Sequence, residues 1–423
     1  MTDYRQRIVD SLLDRKLRSK GAVLIEGPKW CGKTTTAKQL SNSVIRLDEP
    51  EIKKDYLLMA ELEPKRILDG KTPRLIDEWQ VAPTLWDAIR HRVDDVKGYG
   101  QFILTGSSVP ADMSKVIHSG TGRFAWIRMR PMTLFESGDS TGEVSLKDLF
   151  ESNSISGASE MDIEKLSFLT CRGGWPETVD MDKDVALEPA TDYVEGVMRR
   201  DINLVDGIPK DYQRVKALMR SYARNQGEQI SFSKISADIS INETSNVSDE
   251  TISTYVSALK KLFVVEDLPA WNPNLRSKAA IRTSDTRYFV DPSIAVASLG
   301  IGPGDLIRDT DTFGFFFETL VIRDLRVYAQ SIDGEVYRYH DNRDNECDAV
   351  IHLRNGRYAL IEIKLGGEKL ISEGVTSLNS VLRNIDVEKM GKPSFMAIIV
   401  GIGRYAYRRE DGIYIVPIGC LRD

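Results

Sequence analysis

Long apolar runs, paired cysteines and an excess of basic residues are all missing from this sequence of 423 residues. No uninterrupted apolar stretch approaches the roughly 18 residues that a membrane-spanning helix needs. The N-terminal stretch MTDYRQRIVDSLLDRKLRSKG is charged and amphipathic rather than signal-like. We therefore expect a protein of the cytoplasm with no membrane partner. A chain of this length, at about 150 residues per domain, is expected to hold two to four domains.

Cysteine is scarce, and the four cysteines lie far apart, at Cys31, Cys171, Cys347 and Cys420. No C-x-x-C spacing occurs, so neither a zinc site nor a disulfide framework is indicated, and we expect reduced thiols. The net charge of −6 and the pI near 5.6 give no overall basic surface. Any contact with nucleic acid would therefore have to come from a local basic patch.

One glycine-rich stretch, Gly27 to Thr34, matches the P-loop pattern G-x-x-x-x-G-K-[ST] without substitution. An apolar run typical of a buried strand precedes it, and residues 35–40 can continue as a helix. Its glycines let successive backbone N–H groups face a phosphate, and the helix dipole favours the negative charge. We expect Lys33 to reach the β- and γ-phosphates and Thr34 to hold Mg²⁺. The predicted ATP-binding residues of this stretch are Gly27, Pro28, Lys29, Trp30, Cys31, Gly32, Lys33, Thr34 and Thr35.

A second motif is the apolar strand that ends in Asp77 and Glu78, which resembles a Walker B element. Asp77 would hold Mg²⁺ through its water shell, and Glu78 would polarise the attacking water as general base. The alternative is a strand whose acids merely begin a solvated turn. Because a P-loop kinase has less need of a general base at this position, Glu78 favours hydrolysis over phosphoryl transfer.

Two later segments carry further candidate residues of the nucleotide site. Thr105 or Ser107, directly after an apolar strand, would lie beside the γ-phosphate, although a Ser/Gly turn closing the strand explains them equally well. Arg123 precedes another strand and could reach the γ-phosphate in cis, or that of a neighbouring subunit as an arginine finger. The alternative for Arg123 is an ordinary surface arginine.

The segments GPKWCGKTT, RLIDEWQVAP, QFILTGSS and GTGR, in this order, resemble bacterial and archaeal AAA-type ATPases that carry a restriction-endonuclease-like C-terminal domain. The resemblance covers most of residues 1–136. It implies an α/β fold: an additional-strand P-loop core with a parallel sheet flanked by helices, and ATP at the carboxyl ends of the strands.

The middle of the chain is predicted to hold two parts. Residues 137–205 are interpreted as a helical linker region that contains the turn Gly-Gly-Trp-Pro-Glu. Residues 206–275, with three helices and then an extended stretch, are interpreted as a winged-helix-like module. The third helix of such a module often enters the major groove of DNA. Here it is only mildly basic, so a structural or protein-contact module is the alternative.

Residues 276–423 carry an acidic set. Glu318 lies in an apolar, helix-like stretch, and strand alternation places Glu362 and Lys364 on one face of a strand. Asp348 starts the preceding strand and could join them across a hairpin. This set resembles the core of PD-(D/E)xK nucleases, in which Glu318, Asp348 and Glu362 would hold Mg²⁺ and Lys364 would activate water beside Glu362.

The alternative is a degenerate domain whose acids make structural salt bridges. A cleft for nucleic acid could be lined by the nearby basic residues Arg323, Arg326, Arg338, Arg343, Lys369 and Arg383.

Together these motifs predict a protein that binds and hydrolyses ATP with Mg²⁺ and couples its nucleotide state to a nuclease-like domain acting on DNA or RNA. An oligomer would allow Arg123 to act in trans. The alternative function is a nucleotide-dependent switch or scaffold whose catalytically dead C-terminal domain binds a protein partner.

Overall fold

A computed structural model describes residues 4–112, 114, 116, 118–151, 154–243, 246–273 and 284–423. These residues divide into two compact units. The first unit comprises Met1–Pro131, Gly196–Asp211 and Thr254–Val264, and the second comprises Met132–Glu195, Tyr212–Ser253 and Val265–Asp423. The predicted domain boundary at residues 275 and 276 lies outside the described residues, and the other predicted domain limits stay predictions.

The strands are β1 (Ala22–Glu26), β2 (Ser43–Arg46), β3 (Arg74–Asp77), β4 (Phe102–Gly106), β5 (Phe124–Arg128), β6 (Val144–Ser145), β7 (Gly157–Ala158), β8 (Gly334–His340), β9 (Glu346–Leu353), β10 (Tyr358–Lys364), β11 (Phe395–Val400), β12 (Tyr405–Arg408), β13 (Tyr414–Pro417) and β14 (Leu421–Arg422). The helices are α1 (Ile8–Leu17), α2 (Lys33–Gln39), α3 (Lys53–Leu62), α4 (Pro64–Leu68), α5 (Leu85–Val96), α6 (Leu146–Glu151), α7 (Ile163–Arg172), α8 (Glu188–Gly196), α9 (Ile202–Leu204), α10 (Tyr212–Arg224), α11 (Phe232–Asn242), α12 (Asp249–Lys261), α13 (Pro292–Leu299), α14 (Pro303–Arg308), α15 (Thr310–Ser331), α16 (Glu368–Asn384) and α17 (Val387–Met390). Among the residues described, no helix is both long and apolar enough to cross a membrane.

The first unit is built on a parallel sheet of five strands in the order β2-β3-β4-β1-β5. Both faces of β1 are buried: Leu24 belongs to the cluster that contains Ile89 of α5, and Val23 to the cluster that contains Leu13 of α1. A parallel strand covered on both faces is apolar throughout, which explains the run Ala-Val-Leu-Ile before the P-loop. The prediction of a parallel sheet flanked by helices is confirmed.

Strand register brings the predicted nucleotide motifs to one edge of this sheet. Glu26 at the end of β1 pairs with Gly106 at the end of β4, and Ile76 of β3 pairs with Leu104 of β4. The residues that follow these three strands therefore emerge at the same carboxyl edge, where ligands of open α/β sheets bind.

Residues 196–211, called here the 196–211 segment, also belong to the first unit. The segment contains a π-helical turn, Val197–Asp201, and then α9. The Nζ of Lys210 lies 2.6 Å from a carboxylate oxygen of Asp206, and the Lys210 backbone N–H donates to the Asn203 side chain at 2.6 Å. These bonds give the segment a defined internal structure.

The second unit contains a mixed sheet of seven strands in the order β7-β12-β13-β11-β10-β9-β8. Strands β8, β9 and β10 pair antiparallel, and β11 is parallel to both β10 and β13. Leu360 of β10, Ile398 of β11 and Leu378 of α16 lie in its core. The predicted hairpin of β9 and β10 is confirmed. Mixed sheets of this kind occur in many folds, so the nuclease-like class stays a prediction.

The polar stretch after residue 137 differs from the simple linker that its composition suggests. Its strand β6 pairs with β14, and β7 pairs with β12. Leu146, Leu149 and Phe150 of α6 are buried. Strand pairing uses backbone groups, so a polar sequence with a few apolar anchors can still join a folded unit.

The middle helices α10, α11 and α12 are present where helices were predicted. The extended stretch after them forms isolated antiparallel bridges, Val265 with Phe289 and Leu268 with Thr286. The winged-helix module and its DNA binding stay predictions.

Three of the arginines predicted to line a basic cleft are instead buried: Arg323, Arg326 and Arg338. Arg323 makes ion pairs with Asp291 at 2.9 Å and with Asp324 at 2.7 Å, both inside the second unit. The predicted cleft is wrong for these three residues, because their charges are used by neighbouring carboxylates.

Candidate functional sites

The P-loop connects β1 to α2 and contains two glycines at positions where a side chain would clash or strain the backbone. A Cβ added to Gly27 would lie 2.0 Å from the backbone oxygen of Met129, and Gly32 has a φ of 97°. Both positions therefore need glycine, the first for close backbone approach and the second for left-handed backbone. The loop delivers Lys33 and Thr34 to the first turn of α2.

Thr34, Asp77 and Thr105 meet at the carboxyl edge of the sheet. The Oγ1 of Thr34 donates to Oδ1 of Asp77 at 2.7 Å, and the Oγ1 of Thr105 donates to the same oxygen at 2.5 Å. Asp77 is buried, as is Lys33, whose Nζ donates to the backbone oxygen of Pro28 at 2.7 Å. The structure thus brings together residues that are distant in sequence and were predicted for one site.

Glu78 follows Asp77 with a left-handed backbone, at φ 57°. Its Oε2 accepts a hydrogen bond from Ser107 Oγ at 2.8 Å and another from the side-chain amide of Gln80. Gln80 also donates to Ser107 Oγ at 3.3 Å. Two donors on one oxygen fix the orientation of the carboxylate. Gln80 was not predicted from the sequence, although its position two residues after Glu78 was a signal.

The donor set fits Mg²⁺. Mg²⁺ usually binds proteins through one or two carboxylates and completes its shell with water and substrate phosphates. The Asp77 carboxylate and the Thr34 hydroxyl are hard oxygen ligands 2.7 Å apart. Within the described ranges no group of three or more His, Cys, Asp or Glu side chains could hold a metal ion. A phosphate-bound Mg²⁺ does not require such a group, because phosphate oxygens and water complete its shell.

Arg7 supports the P-loop from outside and was also missed. Its guanidinium donates to the backbone oxygens of Cys31 at 2.8 Å and of Arg130 at 2.9 Å. Its distance in sequence from the loop left no local signal. Cys31 itself is buried, as are the other three cysteines, and none forms a disulfide.

Arg123 lies at the other edge of the sheet. It directly precedes β5, which runs parallel to β1. The first residues of the two strands pair, Ala22 with Phe124, whereas the P-loop follows Glu26 at the opposite end of β1. Its guanidinium pairs with Asp94 of α5 at 2.8 Å. A role for Arg123 in cis is therefore wrong, because strand direction puts it at the amino end. Its role in trans stays a prediction.

In the second unit, the four residues of the predicted nuclease set lie together. Lys364 Nζ is 2.7 Å from Glu362 and 3.3 Å from Asp348. Arg338, which the prediction placed in a cleft, is 2.8 Å from Glu318 and 3.8 Å from Asp348. All three carboxylates are largely buried, with 2% of the Glu362 side chain exposed. We call these five residues the acidic cluster.

Burial and neighbouring charges shift the pKa values of the acidic cluster in opposite directions. Burial, followed by the charge of Asp348, raises the pKa of Glu362 to about 8 and that of Glu318 to about 7. Burial alone would also raise the pKa of Asp348, but Lys364 and Arg338 together bring it below its ordinary value. The cluster therefore holds a proton near neutral pH, which balances three carboxylates against two cations.

The acidic cluster does not fit a metal ion as it stands. Lys364 and Arg338 occupy the carboxylate oxygens, Tyr288 donates to Glu318, and Ser377 donates to Glu362 at 3.0 Å. In the part of the chain that is described, no three His, Cys, Asp or Glu side chains are arranged so that they could bind a metal ion. Tyr288 and Ser377 lie on other elements, so the sequence pattern gave no signal for them.

Comparison with known families finds similarity in the part of the chain that contains the P-loop. Residues 19–137 match the AAA domain family. Beyond the AAA domain, residues 163–305 and 313–421 match two domains of unknown function, DUF8612 and DUF4143.

Similarity to solved structures is weak. The Walker-type ATPase of Pyrococcus abyssi is 14% identical, with a TM-score of 0.43 over 70% of this chain and 96% of that chain. The Hef helicase domain of Pyrococcus furiosus is 10% identical, with a TM-score of 0.21 over 93% of this chain and 89% of that chain. No curated protein matches the sequence significantly.

Proposed function

We propose that the AAA domain binds ATP with Mg²⁺ and hydrolyses it. The observation that carries this proposal is the convergence on Asp77, whose carboxylate accepts hydrogen bonds from Thr34 of the P-loop and from Thr105 of β4. Glu78 follows directly, with its carboxylate fixed by two donors. The residues proposed as magnesium ligand, P-loop hydroxyl and general base thus lie at one edge of the sheet.

Each residue has a separate role in this proposal. Lys33 would exchange the Pro28 oxygen for oxygens of the β- and γ-phosphates, and the loop N–H groups would surround the phosphates. Thr34 and Asp77 would hold Mg²⁺, which neutralises charge that develops on the phosphates. Glu78 would accept a proton from the water that attacks the γ-phosphorus, while Ser107 holds the carboxylate in place.

Phosphate release by the purified full chain tests the proposal. We expect turnover to fall at least about 100-fold in Lys33→Ala and in Glu78→Gln, since each removes a group that acts in the transition state. Lys38→Ala, on the same helix α2, and Glu61→Gln, exposed on α3, are the matched controls. Unchanged turnover in Lys33→Ala or Glu78→Gln would refute the assigned roles.

A third activity, phosphoryl transfer by a P-loop kinase, would give a different outcome. Incubation with γ-labelled ATP should place the label in inorganic phosphate. Label on another acceptor, with Glu78→Gln still active, would favour the kinase.

For the second unit, the pairing inside the acidic cluster favours the non-cleaving alternative. We infer that the chain is a nucleotide-dependent switch whose second unit cuts no nucleic acid. A metal and a scissile phosphate would have to displace Lys364 and Arg338 from largely buried carboxylates, which leaves charges unpaired. The nuclease activity predicted from the sequence stays the competing hypothesis.

Incubation of DNA and RNA with the chain and Mg²⁺ or Mn²⁺ separates the two. We expect no cleavage above that of Asp348→Ala. Cleavage that is lost in both Asp348→Ala and Lys364→Ala, but kept in Asp386→Ala, would establish a nuclease centre and overturn the inference.

A further inference from the structure

A second lysine of the P-loop, Lys29, is held by a carboxylate outside the loop. Its Nζ lies 2.7 Å from Oδ1 of Asp201, the last residue of the π-helical turn in the 196–211 segment. The Lys29 side chain is 47% exposed, whereas that of Asp201 is only 13% exposed. The acid is thus the more buried member of the pair, and the lysine is the more exposed one.

Lys29 stands in the phosphate-binding loop itself, between Gly27 and Gly32. Backbone N–H groups of such a loop would surround the phosphates, and a lysine side chain carried by the loop would be attracted by their negative charge. Asp201 neutralises this lysine through their ion pair. The triphosphate and the Asp201 carboxylate would therefore both attract the same ammonium group.

We propose that Asp201 competes with the ATP triphosphate for Lys29, so that it lowers ATP affinity and connects nucleotide binding to the 196–211 segment. The inference rests on the proposed ATP binding and deepens it. When ATP takes Lys29, the π-helical turn loses an ion pair to the P-loop. The chain on either side of the segment, α8 before it and α10 after it, belongs largely to the second unit.

Asp201 is a positioning residue in this proposal, so its test is a binding measurement. With Mg²⁺ and the non-hydrolysable analogue adenylyl imidodiphosphate, Asp201→Asn should bind about fivefold tighter, the upper range for a partly exposed ion pair. Asp201→Glu should restore the wild-type affinity. The difference should shrink at high salt, because salt screens partly exposed charges.

Asp69→Asn is the matched control. This substitution removes the same charge from the same unit, where Asp69 pairs with Arg92 at 3.4 Å. Asp69 precedes β3, however, and therefore lies on the amino side of the sheet. Its affinity for the analogue should equal that of the wild type.

A double-mutant cycle with Lys29→Ala isolates the pair. Lys29→Ala should weaken binding of the analogue, and in that background Asp201→Asn should have no further effect. Weaker binding in Asp201→Asn alone would overturn the proposal, as would equal tightening with and without Lys29, since that would reflect general repulsion rather than competition.

Hydrogen exchange supplies a readout that needs no nucleotide. Amides of residues 197–204 should exchange faster in nucleotide-free Asp201→Asn than in the wild type, and addition of the analogue should raise wild-type exchange to that level. Unchanged exchange in the wild type on binding would overturn the connection to the segment. Failure of the wild type to bind the analogue at all would instead refute the proposed function.

Discussion

Raising the pH from about 7 to about 9 should destabilise the second unit, because Glu362 must give up the proton that it holds in the folded state. Burial raises the pKa of Glu362 from 4.5 to about 8. Between these two values the folded chain binds more protons at this group than the unfolded chain does. Stability therefore falls as pH rises and stops falling above the folded pKa.

The magnitude follows from the pKa values. Each pH unit in this window costs about 1.4 kcal/mol, and only the interval from about 7 to about 8 contributes fully. The free energy of unfolding should thus fall by about 1.4 kcal/mol from this residue. For a unit of this size that corresponds to a melting temperature about 3 °C lower.

Differential scanning calorimetry of the full chain at both pH values measures the change. Glu362→Gln, which keeps the shape but cannot ionise, should remove that part of the pH dependence. Glu368→Gln, exposed at the start of α16, should keep it. Equal pH dependence in the wild type and in Glu362→Gln would refute the reasoning. If Glu362→Gln does not fold, titration of the Glu362 carboxyl in the wild type decides, and a pKa near 4.5 would refute it.

Three further outcomes are expected. Gly27→Ala should lose ATP-analogue binding, because the added carbon would lie 2.0 Å from a backbone oxygen, whereas Gly196→Ala, which meets nothing within 4 Å, should bind normally. Gln80→Ala should lower ATP turnover about tenfold with unchanged analogue affinity, since Glu78 loses one of the donors that orient it; a change in affinity alone would contradict this. Arg323→Met should lower the free energy of unfolding in urea by about 3–5 kcal/mol, because it leaves two buried aspartates unpaired; a loss below about 1 kcal/mol would contradict it.

The candidate nucleotide site was largely predictable because its parts are local. The spacing from Gly27 to Thr34 specifies a loop before any tertiary contact forms, and an apolar strand ending in Asp77 and Glu78 marks its own carboxyl end. Gln80 and Arg7 were missed for different reasons. Gln80 lies in an ordinary turn after a strand, and Arg7 reaches the loop only after α1 packs on the sheet.

Arg123 shows the limit of local pattern. The sequence identified Arg123 as an arginine before a strand. The direction of that strand in the sheet decides at which edge its first residue lies, and the local pattern does not give this direction. Because β5 is parallel to β1, its start lies at the amino edge. The same limit applies to the 196–211 segment, whose membership of the first unit no local pattern indicated.

What the sequence by itself determined about this protein is the P-loop, the strand carrying Asp77 and Glu78, and the placement of Glu362 and Lys364 on one strand face, since each depends on short spacing and strand alternation. The tertiary structure alone decided that Asp201 holds Lys29 and that Arg338 enters the acidic cluster. Ion pairs between distant segments depend on where whole strands and helices pack. The charge of a buried side chain indicates that it needs a partner, but it does not indicate which residue the fold will bring within reach.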